Sequence, residues 1–251
     1  MNMSIFLYIF LLIAPKAEIG KANSDFQKGN ELYQNGEYQQ AIEMYETALD
    51  TGYESAELYY NLGNAYFKSN QIGKTILNYE RAKKLAPRDE DILFNLEIAQ
   101  LYVVDKISLP PQIFLVTFWK NIKYFFVSKD LGILTLVIYI VLILLLISRI
   151  FIRNLSLKNI IGIAVYPVLI LFLFSTFIFV QRIHKDVNLK EAIVIIKRID
   201  VNSSPSNDAT EVFALHEGVK VKISEHSGDF LRIELSDGKI GWISAHAVEI
   251  I

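Results

Sequence analysis

Apolar and polar residues follow three different patterns along the chain, and each pattern predicts a different kind of structure. Residues 23–106 show a helical periodicity, residues 131–183 are almost continuously apolar, and residues 191–251 alternate as β-strands do. A short apolar run, Ser4–Ala14, precedes all three. The chain is therefore predicted to be a multidomain membrane protein with an all-α region, a two-helix transmembrane hairpin and a small all-β domain.

The helical region contains an internal repeat, in which one set of residue types recurs at a fixed spacing. The spacing matches the period of tetratricopeptide (TPR) repeats, about 34 residues, in which pairs of helices stack side by side. A third segment, Asp91–Val104, reproduces only a first helix and is predicted to cap the stack. Residues 23–106 thus resemble the TPR family, and an unrelated helical hairpin domain is the alternative. The matching residues are Gly29, Leu32, Gly36, Tyr38, Ala41, Tyr45 and Ala48, then Tyr59, Leu62, Gly63, Tyr66, Tyr79, Ala82 and Pro87.

The first helices of the repeats are predicted to line a concave groove. Side chains spaced i, i+4 and i+7 share one helix face, and one such set recurs a period later. Aromatic rings cover apolar side chains of an extended peptide and amides pair with its main chain, so the set predicts a peptide-binding groove. Replacing Asn30 and Asn64 with Ala is expected to weaken binding without unfolding the stack. The candidate residues are Phe26, Asn30, Tyr33, Tyr60, Asn61, Asn64 and Phe67.

Charge modifies this expectation in two ways. Some TPR domains bind C-terminal carboxylates through basic side chains, but Phe26 and Asp91 stand at positions where basic residues would be needed. The first repeat is acidic, because eight carboxylates between residues 25 and 57 are opposed only by Lys28. A basic partner and a simple solvated surface both explain this excess.

Two uncharged stretches predict transmembrane helices at residues 131–148 and 160–180. About 20 apolar residues in a helix cross the roughly 30 Å of bilayer hydrocarbon. Neither stretch contains Asp, Glu, Lys, Arg or His. Because ion and proton pathways normally use such side chains, the two helices are interpreted as anchors and not as a transport path.

The N-terminal run is predicted to be a signal peptide, residues 1–22, with a buried strand or a membrane anchor as the alternative. The segment 149–159 between the apolar stretches has three basic and no acidic residues, which favours a cytoplasmic loop. Both terminal domains would then lie on the extracytoplasmic, periplasmic side of a bacterial inner membrane. Residues 107–130 are interpreted as a linker, in which Phe114–Val127 is either an interfacial helix or a helix packed on the TPR region.

The β region begins with an alternating segment, Glu191–Ile196, and a turn-rich loop, Asn202–Asp208, after which five short strands are predicted to close a small barrel. It resembles the bacterial SH3 (SH3b) family throughout this segment, including Gly228–Ile233 and Asp237–Ser244, and the most specific piece is Gly241-Trp242-Ile243 before Val248. The resemblance implies binding of peptides or cell-wall components, or a spacing role. Ala247 stands where the proline-binding shelf of eukaryotic SH3 domains has a tyrosine, so proline-peptide binding is not implied.

Composition excludes several classes of function. The chain has 251 residues, a formal net charge of −2 and no cysteine. It therefore offers no basic surface for nucleic acid, no disulfide and no catalytic thiol. The four histidines are scattered, and no nucleophile elbow, P-loop or dinucleotide fingerprint occurs. The sequence predicts a binding protein and not an enzyme, with no cofactor and no metal site.

The order of these regions resembles the BatE-type proteins of the bacterial aerotolerance (Bat) operon. The resemblance implies a scaffold in an envelope complex linked to aerotolerance or stress response. It also implies partners that are membrane proteins with von Willebrand factor A domains, and a MoxR-type ATPase. Binding of peptidoglycan through the SH3b domain is the alternative. The residues alone predict a narrower function, a protein scaffold with two binding modules outside the cytoplasm.

Overall fold

The structure is a computed structural model that describes residues 20–107, 114, 128–188, 190–206 and 208–251. The chain forms two units, one made of Met1–Pro110 together with Lys190–Ile251, and the other of Pro111–Leu189. Nearly all of the predicted signal peptide and most of the linker 107–130 lie outside the described residues. The first unit joins segments that come before and after the apolar region, so the TPR and SH3b regions belong to one body.

Helices of the predicted TPR pattern form the first part of this body. Ser55 and Asp89 cap the starts of α3 and α5, because the Ser55 side chain accepts one backbone N–H of the first turn and the Asp89 side chain accepts two. Gly36 and Gly52 follow α1 and α2 with φ of +82°, a conformation that glycine adopts without strain. The helices are α1, described over residues 20–34, α2 (Tyr38–Asp50), α3 (Ala56–Lys68), α4 (Ile72–Leu85) and α5 (Glu90–Leu101).

The sequence repeat reappears in the packing between helices. Tyr45 of α2 and Tyr79 of α4 are only 1% and 2% exposed. A Cβ added to Gly29 would lie 2.5 Å from the Tyr45 ring, and one added to Gly63 would lie 2.6 Å from the Tyr79 ring. Glycine is therefore needed at both positions because a tyrosine ring occupies the space that a side chain would take.

The C-terminal part is an antiparallel SH3-like sheet in which the described residues form seven strands in the order β3-β2-β6-β5-β4-β1-β7. The sequence predicted one segment at Glu191–Ile196 followed by five strands. The structure instead ends the first strand at Val194, which pairs with Val248 of β7, and starts a second at Arg198, which pairs with His216 of β3. The strands are β1 (Lys190–Val194), β2 (Arg198–Asn202), β3 (Glu211–His216), β4 (Lys220–Ser227), β5 (Phe230–Glu234), β6 (Ile240–Ser244) and β7 (Val248–Ile250).

The TPR part and the SH3-like part share one hydrophobic core, although the sequence treats residues 23–106 and 191–251 as separate domains. Gly73 of α4 lies so close to β1 that a Cβ would be 2.8 Å from the Val194 carbonyl oxygen. Gly218 has φ of +89°, and a Cβ there would be 2.8 Å from side-chain carbons of Ile76 and Val103. The shared core includes Ile72, Ile76, Leu77, Tyr79, Leu96 and Val103 from one part and Ile193, Val194, Leu215, Val219, Val221 and Val248 from the other.

Charged and polar groups close the edges of this junction. Lys220 Nζ lies 3.1 Å from Glu80 Oε2 of α4 and 2.9 Å from Glu191 Oε2 of β1. Glu217 Oε2 accepts the backbone N–H of Gly73 at 2.9 Å. Burial alone would lower the pKa of Lys220, but the two carboxylates outweigh it and raise that pKa.

Residues at the end of the TPR region and at the end of the SH3-like part also form hydrogen bonds across the junction. Asp105, beyond α5, accepts the backbone N–H of His216 at 2.7 Å, and the His216 ring Nδ1 lies 3.1 Å from its other carboxylate oxygen. Arg81 and Lys84 of α4 donate to the carbonyls of Ile250 and Ile251 at 2.7 and 3.0 Å. The junction therefore uses side chains from the end of the TPR region and from the last residues of the chain.

The second unit is a hairpin of two long apolar helices, α6 (Ser128–Phe151) and α7 (Leu155–Asn188). They extend beyond the predicted spans 131–148 and 160–180, and the predicted loop 149–159 shrinks to residues 152–154. Asp130–Phe151 and Leu155–Gln181 are each long and apolar enough to cross a membrane. The ring centroids of Tyr139 and Phe172 are 5.6 Å apart across the hairpin.

Candidate peptide-binding groove

Two adjoining clefts lie beside the first helices of the repeats, α1, α3 and α5, where the groove is predicted. Their volumes are about 320 and 300 Å³, and they share Tyr33 and Asn64. The larger cleft is lined by Tyr33, Tyr60, Asn64, Phe67, Lys68, Tyr79, Asn95 and Ile98. The smaller is lined by Asn30, Tyr33, Gln34, Tyr45, Asn61 and Asn64.

Asn30 organises the smaller cleft through two hydrogen bonds. Its Oδ1 accepts from the Tyr45 hydroxyl at 2.7 Å and from the Asn61 Nδ2 at 2.9 Å. Tyr45 is a core residue, so the first bond connects the groove to the packing between α1 and α2. The second bond connects α1 to α3.

The same arrangement recurs one repeat later around Asn64. Its Oδ1 accepts from the Tyr79 hydroxyl at 2.6 Å and from the Asn95 Nδ2 at 3.3 Å. Asn95 also donates to the hydroxyl oxygen of Tyr60 at 2.7 Å. Both asparagines therefore hold a core tyrosine, and replacement by Ala leaves a buried hydroxyl without its acceptor. The expectation that the double Ala variant leaves the stack folded stays a prediction, and the loss of these two acceptors should lower the free energy of unfolding.

Three of the four groove amides keep a polar group that is available to a ligand. In the part of the chain that the structure describes, the Nδ2 group of Asn30 donates to no protein atom, and the Oδ1 atoms of Asn61 and Asn95 accept from none. Asn64 differs, because its side chain also makes a hydrogen bond to Tyr60 that lowers the pKa of that tyrosine against the effect of burial. The groove thus presents alternating donors and acceptors. An extended peptide presents the complementary N–H and C=O groups along its main chain.

The groove tyrosines act as neutral hydroxyls. Burial raises the pKa of Tyr45 and of Tyr79 well above 10, and nearby tyrosines add to both shifts. Burial also raises the pKa of Tyr33 and of Tyr60. At neutral pH these groups therefore donate and accept hydrogen bonds without adding negative charge to the groove.

Six of the seven predicted groove residues line the two clefts, and Phe26 does not. Phe26 is 7% exposed and belongs to the core, where its ring lies 5.9 Å from that of Tyr45. Tyr60 makes the equivalent contact with Tyr79 at 5.8 Å, but its hydroxyl reaches the groove and accepts from Asn95. Phenylalanine has no hydroxyl that could reach the groove. The prediction from helical spacing gave the correct face of α1 but did not show that the Phe26 ring is buried there.

Six cleft residues are not among the predicted groove residues: Gln34, Tyr45, Lys68, Tyr79, Asn95 and Ile98. Of these, Tyr45 and Tyr79 were assigned only to the packing of the repeat. The repeat period contained the signal for three of these residues, Lys68, Asn95 and Ile98. One period after Gln34, Asn61 and Asn64, the chain has Lys68, Asn95 and Ile98. The third helix therefore continues the groove that the first two begin.

The SH3-like part carries aromatic residues on three strands, with Phe213 on β3, Phe230 on β5 and Trp242 on β6. Phe230 and Trp242 are both half-buried, and Trp242 pairs with Arg232 in the sheet. Ala247, which follows β6 in a short 3₁₀ turn, is fully buried. Among the residues that the structure describes, no group of three or more His, Asp or Glu side chains is arranged to hold a metal ion.

Comparison with family models identifies both parts of the first unit. Residues 29–70 match the model described as TPR repeat, and residues 56–89 match tetratricopeptide repeat. Residues 198–249 match bacterial SH3 domain. No curated protein matches the chain. The chain contains TPR repeats and a bacterial SH3 domain, which confirms the two family resemblances drawn from the residues.

Proposed function

We propose that the protein is a membrane-anchored scaffold that holds other proteins through its TPR groove. The observation that carries the proposal is the ladder of asparagines, which leaves the Asn30 donor and the Asn61 and Asn95 acceptors open between aromatic side chains. This arrangement suits an extended peptide, and TPR repeats are protein-interaction modules. We propose no catalytic role for the chain.

The apolar hairpin supplies the anchor in this proposal. Two crossings return the chain to the side from which it started, and the shared core of residues 72–103 with 192–248 requires the TPR and SH3 parts to be on the same side. We place that side outside the cytoplasm of a bacterial inner membrane, on the basis of the N-terminal apolar run and the basic residues near 149–158.

The wider role rests on the resemblance in domain order to BatE-type proteins. It supports an envelope complex, with von Willebrand factor A-domain membrane proteins as partners and a link to aerotolerance or stress response. The acidic first repeat and the open groove are features that such a complex would use for assembly.

Photo-crosslinking in intact cells tests the groove. A crosslinking amino acid at Gln34, which is exposed beside the smaller cleft, should capture envelope proteins. The double variant Asn30→Asp and Asn64→Asp keeps the oxygen that accepts from Tyr45 and Tyr79 but removes both NH₂ donors. We expect it to lose the crosslinks while remaining folded.

Glu43→Gln on the exposed face of α2 is the matched control, because it changes a charge away from both clefts. It should crosslink as the unmodified chain does. Unchanged crosslinks in the Asn30→Asp/Asn64→Asp variant would contradict a role for the groove in holding partners.

The absence of cysteine allows a clean test of the membrane arrangement. Single exposed cysteines at Asp50, Ser204 and Arg153 would report on the TPR part, the SH3 part and the hairpin loop. A membrane-impermeant maleimide should label the first two in intact spheroplasts and the third only after permeabilisation. Labelling of Arg153→Cys in intact spheroplasts would contradict the proposed orientation, because it would place the hairpin loop outside the cytoplasm.

Binding of peptidoglycan by the SH3 part is the second candidate function, supported by the bacterial SH3 match over residues 198–249. Purified cell walls should then retain the chain, and replacement of Trp242 by Ser should release it. Retention that survives this change, or no retention at all, would leave the scaffold as the better proposal.

A further inference from the structure

The last helix of the TPR stack exposes apolar side chains at groove positions. Phe94 is 62% exposed and Leu101 is 70% exposed, and both lie on α5. A helix that ends a repeat stack normally presents a polar outer surface to solvent. Large exposed apolar side chains next to a cleft are instead typical of interaction sites.

These side chains continue the groove by the period of the repeat. The floor is formed by hydroxyls and amides at α1 and α3, and it becomes apolar at α5. Tyr102, 59% exposed, extends the apolar surface and packs edge-on against Phe67 with ring centroids 5.4 Å apart. Phe94, Ile98 and Leu101 each follow their counterparts Tyr60, Asn64 and Phe67 by one repeat period.

One rim of the groove is acidic. Glu57 and Asp91 are exposed, lie one repeat period apart and come one helical turn before the groove positions of α3 and α5. Their charges reach the groove: after burial, Asp91 adds to the raised pKa of Tyr60, and Glu57 contributes to that of Tyr45. Lys68, on the same face of α3 as Glu57, lines the larger cleft eleven residues further along.

We propose that the groove binds an extended segment of a partner protein with bulky apolar side chains over α5 and a basic side chain against Glu57 and Asp91. This inference rests on the proposed function and specifies the chemistry of the partner. Charge complementarity selects the basic group, and the exposed surface of Phe94 and Leu101 selects the apolar ones. A free C-terminal carboxylate would meet the repulsion of the two rim carboxylates.

Selection from a random peptide library tests the proposal without knowledge of the native partner. The full chain in lipid nanodiscs is the bait, and the library consists of ten-residue peptides with amidated C-termini. We expect the retained peptides to be enriched in Lys or Arg and in Leu, Ile or Phe relative to the input. Empty nanodiscs remove peptides that bind only to lipid.

Two variants separate the two kinds of contact. Glu57→Gln/Asp91→Asn should remove the enrichment in basic residues and keep that in apolar ones, whereas Phe94→Ser/Leu101→Ser should do the reverse. For one selected peptide, the first variant should raise Kd about three- to tenfold, as expected for two exposed ion pairs. Because all four side chains are exposed, folding should persist, which circular dichroism verifies.

Enrichment in acidic peptides, a requirement for a free C-terminal carboxylate, or retention unaffected by both variants would overturn the proposal. Retention of the same peptides by empty nanodiscs would also overturn it, because the peptides would then bind lipid. So would self-association of the chain that disappears in Phe94→Ser/Leu101→Ser, because a second copy of the chain would then cover the apolar surface. If cellular crosslinks still depend on Asn30 and Asn64, the scaffold function survives any of these results.

Discussion

The second helices of the two TPR repeats, α2 and α4, have matching inner faces. Ile42 and Tyr45 of α2 and their counterparts Ile76 and Tyr79 of α4 are all buried. Each tyrosine sits on a glycine of the preceding helix and donates to an asparagine fifteen residues earlier. The inner faces therefore carry the residues that build the repeat.

The outer faces of the same two helices differ. Gln39 and Glu43 of α2 are exposed, whereas Gly73 and Leu77, at the equivalent positions of α4, are buried against the SH3-like part. One repeat faces solvent with polar side chains, and the other has exchanged them for a small and an apolar one. The comparison shows that positions where one repeat has small or apolar residues and the other has polar ones mark the helix face that packs on another part of the protein.

The largest expected effect is that of Leu77→Ala, because Leu77 is 1% exposed in the shared core. Removing a buried Leu side chain should lower the free energy of unfolding by about 2–5 kcal/mol. Trp242 of the SH3 part is the reporter, in a Trp119→Phe background that leaves it as the sole tryptophan. Denaturant titration of its fluorescence should show a loss of stability caused by a change in the TPR part.

Glu43→Ala at the equivalent position of α2 is the control and should shift the transition by less than about 0.5 kcal/mol. If Trp242 reports the same transition in Leu77→Ala and in the unmodified chain, the two parts unfold independently and the shared core does not couple them.

A second prediction concerns the close contact at Gly73. A leucine there must displace the Val194 carbonyl or the backbone at Ile195, 2.8 and 3.0 Å from the new Cβ. Overpacking of this kind costs about 1–3 kcal/mol. Gln39→Leu, exposed on α2, should be close to neutral, and the same Trp242 titration compares them. Equal effects of the two substitutions would mean that α4 is not docked.

The charged edge of the junction should contribute less. Lys220→Met leaves Glu80, whose side chain is 9% exposed, without its cation, but the Lys220 side chain itself is 38% exposed and therefore screened. We expect a loss of about 1–2 kcal/mol, smaller than for a fully buried pair. The exposed Lys222→Met serves as the control.

The pH dependence of this loss has a defined sign. Because the folded state raises the pKa of Lys220 above 10.5, its contribution is present in full below that pH and disappears as pH rises past the raised value. The difference between Lys220→Met and the unmodified chain should be constant from pH 6 to pH 9. A difference that vanishes on acidification would point to another group.

The smallest effects test the equivalence of the inner faces. Tyr45→Phe and Tyr79→Phe each remove one hydroxyl that donates to an asparagine, at 2.7 and 2.6 Å. Each should cost about 0.5–1.5 kcal/mol, with no significant difference between the two. Chemical denaturation of both variants measures this, and a cost confined to one of them would break the symmetry of the repeats.

Much of the groove was predictable from the sequence because its pattern is local and repeated. The helical spacing and the repeat period together place Asn30, Asn61 and Asn64 on one surface, and the structure brings them together. Asn95 was missed because the third segment was interpreted only as a cap. Phe26 was misplaced because helical periodicity gives the face of a residue but not how far a neighbouring ring covers it.

The sequence by itself determined the repeat, the SH3-like strand pattern and the apolar hairpin, since each depends on side chains at short and regular spacing. The docking of the TPR part on the SH3 part was decided only by the tertiary structure. Lys220 and Glu80 are 140 residues apart. In the sequence, Gly73 looks like any residue of a helix and Gly218 looks like any residue of a turn. Burial of both follows from the fit of two distant surfaces, and no local periodicity encodes that fit.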